Sequence, residues 1–227
     1  NRTQALMLHS TVTPKAAPKA STASFQRVAV VWDASGSRAD VNPQREFELL
    51  RAFFKRFGAD KVHVDLIVFR NTAESVKSFA FSPENPAELL KALENNPYDG
   101  ATAVGDVNLV DLKADVGLVF SDGLITLGPE DGLKSPFPLY AFNASNNADF
   151  RYLREIARAS GGLHFNLTQT DAQSVINRIA RPKLQFLKAE IDGKPIQNGF
   201  PRLPRPVQGR FTYVGKTDKP TCEIKLH

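Results

Sequence analysis

Arg27–Trp32 reads RVAVVW, and this Val-rich run narrows the fold more than any other part of the chain. A strand with one wet face alternates in polarity, whereas an uninterrupted apolar strand has to be covered on both faces. That is the situation of a parallel sheet flanked by helices. The run stops abruptly at Asp33-Ala34-Ser35-Gly36-Ser37. In an open parallel sheet, ligands bind at the carboxyl ends of the strands, so this polar segment is the first place to look for a site.

The pattern that follows repeats the theme. Asn42–Pro43 opens a helix with Asn as N-cap, its apolar residues Phe47, Leu50, Phe53, Phe54 and Phe57 recur at helical spacing, and Gly58 stops it. Lys61–Phe69 reads as a strand and Ser75–Phe81 as a polar-alternating edge strand, followed by a helix over Pro86–Asn95. Val116–Phe120, Pro138–Phe142 and Gly162–Leu167 are three more strands, interleaved with helices at Ala148–Ala159 and Ala172–Ala180. Alternation of this kind predicts an α/β fold: a doubly wound, mostly parallel sheet with helices on both faces. After Arg181–Pro182 the helical signal ends. Leu184–Ile191, Val207–Val214 and Thr221–Leu226 then suggest a small C-terminal β appendage with a tight turn at Asp192–Gly193.

These breaks divide the chain into 1–24, a strand and a Pro/Ala/Ser/Lys linker; 25–181, the α/β domain; and 182–227, the β-rich appendage. Asn1 and the absence of a signal-peptide pattern suggest a processed or excised piece, flanked by neighbouring domains of a longer chain. The formal net charge of +5 invites a nucleic-acid reading, but its distribution argues against one. Residues 181–227 hold ten basic and four acidic residues, whereas residues 25–180 hold 16 basic and 20 acidic ones. A phosphate-binding face belongs on the folded domain, interleaved with aromatics, and here the domain is the acidic part. No apolar run approaches the roughly 18 residues of a membrane span. The single cysteine, Cys222, excludes an internal disulfide framework and has no pKa-lowering motif around it.

Three polar segments follow strands or helices in positions that could share one rim: Asp33–Ser37, the loop Asp99–Asp106, and Ser121-Asp122-Gly123. Together they offer the carboxylates Asp33 and Asp122 and the hydroxyls Ser35, Ser37 and Thr102. Every donor is oxygen, which suits a hard cation such as Mg²⁺, with Mn²⁺ or Ca²⁺ as alternatives. Two carboxylates do not over-neutralise a divalent ion. Some of about six coordination positions are left to water or to an outside anion. Asp106 reads as the cap of a short helix near 104–113, or as support behind the ligands.

VVWDASGS, DGATAVGD and FSDG resemble, in order and spacing, the metal-site segments of the von Willebrand factor A domain, over roughly residues 25–180. The resemblance implies a metal-ion-dependent adhesion site. Ser35, Ser37 and Thr102 would bind the cation directly, with Asp33 and Asp122 acting mainly through bound waters. It implies a non-enzymatic, divalent-cation-dependent protein-binding module whose cation is bridged to an Asp or Glu carboxylate of a partner protein. Arg38 departs from the family, which often has an apolar residue there. A cation beside the rim would compete with the metal or hold an acidic partner. LMLHSTVTP resembles the closing strand of the β-rich domain that precedes the A domain in inter-alpha-trypsin-inhibitor heavy chains and similar bacterial proteins. That likeness implies an extracytoplasmic setting, periplasmic or cell-surface.

Other readings stay open at this point. Asp33 could begin a turn that Ser35 and Ser37 cap, leaving a metal-free scaffold domain. Asp33 could also be the nucleophile of a Mg²⁺-dependent phosphoryl-transfer enzyme, although such chemistry wants a nearby second acid and a phosphate-holding Lys. Phosphate-binding loop, dinucleotide and hydrolase-elbow motifs are absent from the sequence. His63 and His164 lie within predicted strands and read as packing residues.

Overall fold

The computed structural model describes residues 4–12, 24–128, 133–180, 185–186, 188–196, 199–201, 205–207, 209–218 and 223–226. They divide into two units, one of Ser21–Ala180 and one combining Asn1–Ala20 with Arg181–His227. The predicted linker, the helix stop at Pro182, Cys222 and residues 129–132 lie outside the described residues.

In chain order, β1 (Gln4–Val12) belongs to the smaller unit. The larger unit contains β2 (Phe25–Asp33), α1 (Gln44–Phe57), β3 (Gly58–Phe69), β4 (Lys77–Phe81), α2 (Ala87–Glu94), β5 (Val116–Phe120), β6 (Leu139–Asn143), α3 (Phe150–Ala159), β7 (His164–Asn166) and α4 (Ala172–Ala180). Its six strands run in the order β4-β3-β2-β5-β6-β7. All neighbours are parallel except the edge strand β4, antiparallel to β3. This is the doubly wound α/β fold expected from the sequence. The chain winds outward from β2 to β4, then returns to β5 and winds the other way. The order therefore reverses between β2 and β5, where such sheets open a crevice for ligands.

Strand β2 explains its own composition. Val28, Val30 and Trp32 enter the core that also holds Phe47, Leu50, Phe53, Phe54 and Phe57 of α1, Leu89 and Leu93 of α2, and Val175 and Ile176 of α4. Ala29 and Val31 enter the opposite core, with Leu153, Ile156 and Ala157 of α3. Register is pinned by a row of aromatic residues directly opposite one another: Trp32, Phe120, Phe142 and Phe165 on β2, β5, β6 and β7. Neighbouring rings lie 5.1, 5.1 and 5.8 Å apart, a spacing that favours offset aromatic contact. The row underlies the carboxyl ends of these four strands.

Two boundaries differ from expectation. Pro43, not Asn42, takes the N-cap position of α1, while Asn42 Oδ1 accepts from Gln44 N at 3.0 Å. The helix expected near 104–113 is only a 3-10 turn, Val104–Asp106. Asn108 accounts for the shortfall, because its Oδ1 accepts from Val110 N at 2.9 Å and its Nδ2 donates to Asp111 at 2.7 Å. These local bonds compete with helical ones.

The smaller unit corrects the sequence-based division. Segments 1–24 and 182–227, read there as separate pieces, come together as β1 pairs along its whole length, antiparallel, with β12 (Gly209–Thr217). Alternation along β1 leaves Leu6 and Leu8 half-buried and Met7 and His9 exposed, and Leu8 packs against Phe186, Phe211 and Tyr213. The remaining strands are short: β8 (Gln185–Phe186) pairs with β11 (Arg205–Pro206), and β9 (Ala189–Ile191) lies between β10 (Lys194–Pro195) and β13 (Ile224–Leu226). The Asp192–Gly193 turn falls where predicted, with φ of 49° and 77°, the paired positive values of a two-residue hairpin.

Candidate metal centre

Asp33 is the last residue of β2, and Asp122 lies two residues beyond β5, so the two carboxylates leave the sheet on either side of the reversal. Backbone bonds draw the third segment in. Asp99 N donates to Ala34 O at 3.1 Å and Gly36 N to Gly100 O at 3.0 Å. Gly100 has φ +71°, and a Cβ there would lie 2.6 Å from Asn71 Oδ1, so the loop makes this approach only with glycine. Ala101 N donates to Asn71 Oδ1 at 2.8 Å and Ala103 N to Arg70 O at 2.7 Å. Thr102 N donates to Thr126 Oγ1 at 2.9 Å. Arg70 in turn holds Pro97 O and Glu74.

Four of the five predicted residues share one hydrogen-bond network. Asp33 Oδ1 accepts from Ser35 N at 2.9 Å, and its Oδ2 accepts from Ser121 Oγ at 2.6 Å. The Ser35 and Ser37 hydroxyls are 3.1 Å apart, and Ser37 Oγ donates to Asp122 Oδ2 at 2.6 Å. Asp122 Oδ1 accepts from Leu124 N at 3.0 Å. Thr102 is held on the adjoining loop and is 2% exposed. No hydrogen bond of its hydroxyl joins this network among the described residues. Asp106 is exposed, and among the described residues no hydrogen bond joins it to the rim.

Sequence reasoning missed two participants. Ser121 positions Asp33 and also accepts from Gly123 N at 2.9 Å; its place beside Asp122 in FSDG was the available signal. Glu46 had none, being one polar residue among helix positions. It is fully buried and holds both Nη2 bonds of Arg38, at 2.6 and 2.7 Å. The expectation for Arg38 is thereby corrected. Arg38 does not stand beside the rim ready for an acidic partner. It is 2% exposed, beneath the rim, and its Nη1 donates to the carbonyl oxygens of Asp33 and Phe120. Glu46 and the two strand ends absorb its charge and draw it inside.

Burial pushes the Asp33 carboxyl above its ordinary range, against the opposing pull of Arg38 and the hydrogen bonds from Ser121 and Ser35. Burial also opposes the charge on Arg38, but Glu46, Asp33 and Asp122 outweigh it and raise its pKa. The buried set of Asp33, Asp122, Glu46 and Arg38 carries two net negative charges when all are ionised. A divalent cation balances that set. Among the described residues no group of three or more His, Cys, Asp or Glu gathers to hold a metal. The donors here are carboxylate and hydroxyl oxygens, the donor type of hard divalent cations.

Beside the rim, buried Asn143 ends β6 and its Oδ1 accepts from His164 Nε2 at 2.7 Å, so Nε2 carries a proton. Burial, with help from Arg154, lowers the His164 pKa to about 4. An unfolded chain titrates near 6.5, so below that pH it takes up a proton that the folded chain refuses. Stability is therefore full above pH ~6.5 and falls as pH drops towards ~4. After allowing for partial solvent access, the loss is on the order of 1–2 kcal/mol. Urea midpoints across this range should show the slope in the parent and a flatter one in His164→Gln; equal slopes would refute it.

No family model matches the sequence, and comparison with curated proteins finds no match. Solved structures do match. The chain is similar to a von Willebrand factor type A protein from Catenulispora acidiphila, at 14% identity and TM-score 0.54, over 100% of this chain and 62% of that one. It is similar to the ArnB paralog VWA2 from Sulfolobus acidocaldarius, at 13% identity and TM-score 0.52, over 94% of this chain and 66% of that one. A third match is proximal thread matrix protein 1 from the mussel byssus, at 20% identity and TM-score 0.50, covering 77% and 48% of the two chains. The chain thus spans less than two thirds of each of these proteins. The sheet order and these neighbours define a doubly wound von Willebrand factor A fold.

Proposed function

We propose that the larger unit is a divalent-cation-dependent protein-binding module. In this reading Ser35, Ser37, Thr102, Asp33 and Asp122 hold Mg²⁺, with Mn²⁺ or Ca²⁺ as substitutes, and an Asp or Glu of a partner protein completes the site. The observation that carries it is the hydrogen-bonded cluster of the oxygen-bearing side chains of Asp33, Ser35, Ser37 and Asp122 at the reversal of strand order. The bound cation would supply a positively charged acceptor for the partner's carboxylate. The chain's own groups set its strength: two rim carboxylates balance the ion's charge without exceeding it, and neutral hydroxyls leave it electrophilic.

Asp33 is poorly placed to be a phosphoryl-transfer nucleophile. It is 0% exposed, and both its oxygens already accept hydrogen bonds within the chain. A free in-line lone pair is what that chemistry needs. This supports a binding role over an enzymatic one.

Calorimetric titration with Mg²⁺ tests the reading. One cation per chain is expected, abolished in Asp33→Ala and weakened about tenfold or more in Thr102→Ala. Binding indifferent to both substitutions would sink it. Turnover of a phosphate ester that disappears in Asp33→Asn would favour the enzyme instead.

A further inference from the structure

We propose that Arg38 and Glu46 are a positioning pair, fixing the separation of the Asp33 and Asp122 carboxylates before any cation arrives. The inference rests on the cation-site reading above and adds residues outside the ligand set.

The register of β2 and β5 shows where the pair acts. Their ladder ends at Trp32 opposite Phe120, one residue short of Asp33 and two short of Asp122. Beyond that row the backbone ladder between the two strands stops, and side chains join their ends: Ser121 Oγ donates to Asp33 Oδ2 at 2.6 Å, beside Arg38. The Arg38 guanidinium joins the two backbones themselves, donating from Nη1 to Asp33 O and, at 3.1 Å, to Phe120 O. It thus ties together the last residue of each strand. The same residue closes the turn that carries the serines, since Arg38 N donates to Ser35 O at 3.1 Å.

Glu46 fixes the guanidinium from the other side. It sits in the first turn of α1 beside Phe47, Leu49 and Leu50, fully buried. The Arg38 charge also lies 5.0 Å from the Trp32 ring centroid and 5.9 Å from that of Tyr98, while Tyr98 Oη accepts from Trp32 Nε1 at 3.1 Å. With its orientation set by four polar acceptor atoms and an aromatic face, the planar fork has little freedom left. Stability alone does not account for the pair, because a buried ion pair is often no better than well-packed apolar residues of similar volume. What it adds is a defined spacing between two strand ends.

The test is the double variant Arg38→Met with Glu46→Leu, which leaves no unpaired buried charge, compared with the parent. Two quantities are read: Mn²⁺ affinity, and amide hydrogen exchange over 33–38 and 120–124 without cation. Positioning predicts about tenfold weaker Mn²⁺ binding and faster exchange in the double variant, with protection restored by the cation. Simple electrostatics predicts little change, because the double variant removes one positive and one negative charge together. Unchanged or tighter Mn²⁺ binding with unchanged exchange overturns the proposal. Arg38→Lys, which keeps the charge but not the fork, should shift in the same direction as the double variant. If the parent itself binds no Mn²⁺, the cation reading has failed and the exchange comparison still decides whether the pair holds the rim. Faster exchange in the double variant supports that hold; equal exchange removes it.

Discussion

Arg38→Met alone is expected to lower unfolding free energy by about 3–5 kcal/mol, a large share of the roughly 5–15 kcal/mol typical of a domain. The cause is what the substitution leaves behind. Glu46 is fully buried, with both oxygens bonded to Arg38. Without the guanidinium it must stay charged and unpaired or take up a proton, and the carbonyls of Asp33 and Phe120 lose a donor. Replacing Glu46 with Leu in the same chain removes the orphaned charge and should recover most of the loss. Urea denaturation of the two variants measures both numbers. A single variant as stable as the parent would mean that the ion pair is not formed in solution.

Gly162→Ala should destabilise by about 3 kcal/mol or more. Gly162 lies between α3 and β7, where its N–H donates to Ala157 O at 2.7 Å. A Cβ there would fall 1.8 Å from Leu139 O and 2.5 Å from Leu139 C. Both are backbone atoms of β6 and cannot rotate aside, so the strand or the helix end has to shift. The urea midpoint reports the effect, and a change below about 0.5 kcal/mol, the usual range for neutral surface sites, would contradict the packing described.

The sheet was legible because its signals are local. RVAVVW announces a strand covered on two faces, and both cores indeed claim alternate residues of it. The Phe-rich spacing of α1 marks its buried side in the same way. Four of the five candidate ligands were legible as a group for a related reason, since each follows an element whose end could be read. The misses share the opposite property. Pairing between β1 and β12 joins residues some two hundred positions apart, and nothing in either strand names its partner. Arg38 looked like a surface cation because its neutralising carboxylate sits on a helix face that otherwise reads as apolar. Asn108 suppressed a helix through side-chain bonds that hydrophobic spacing does not report.

Electron paramagnetic resonance of Mn²⁺ with the folded chain tests the central claim most directly, because it counts bound ions without needing a partner. One Mn²⁺ per chain is predicted, displaced by excess Mg²⁺ and lost when Asp33 and Asp122 are both replaced by Ala in a chain that keeps its circular dichroism. No bound Mn²⁺, or one that survives that double replacement, would contradict the account.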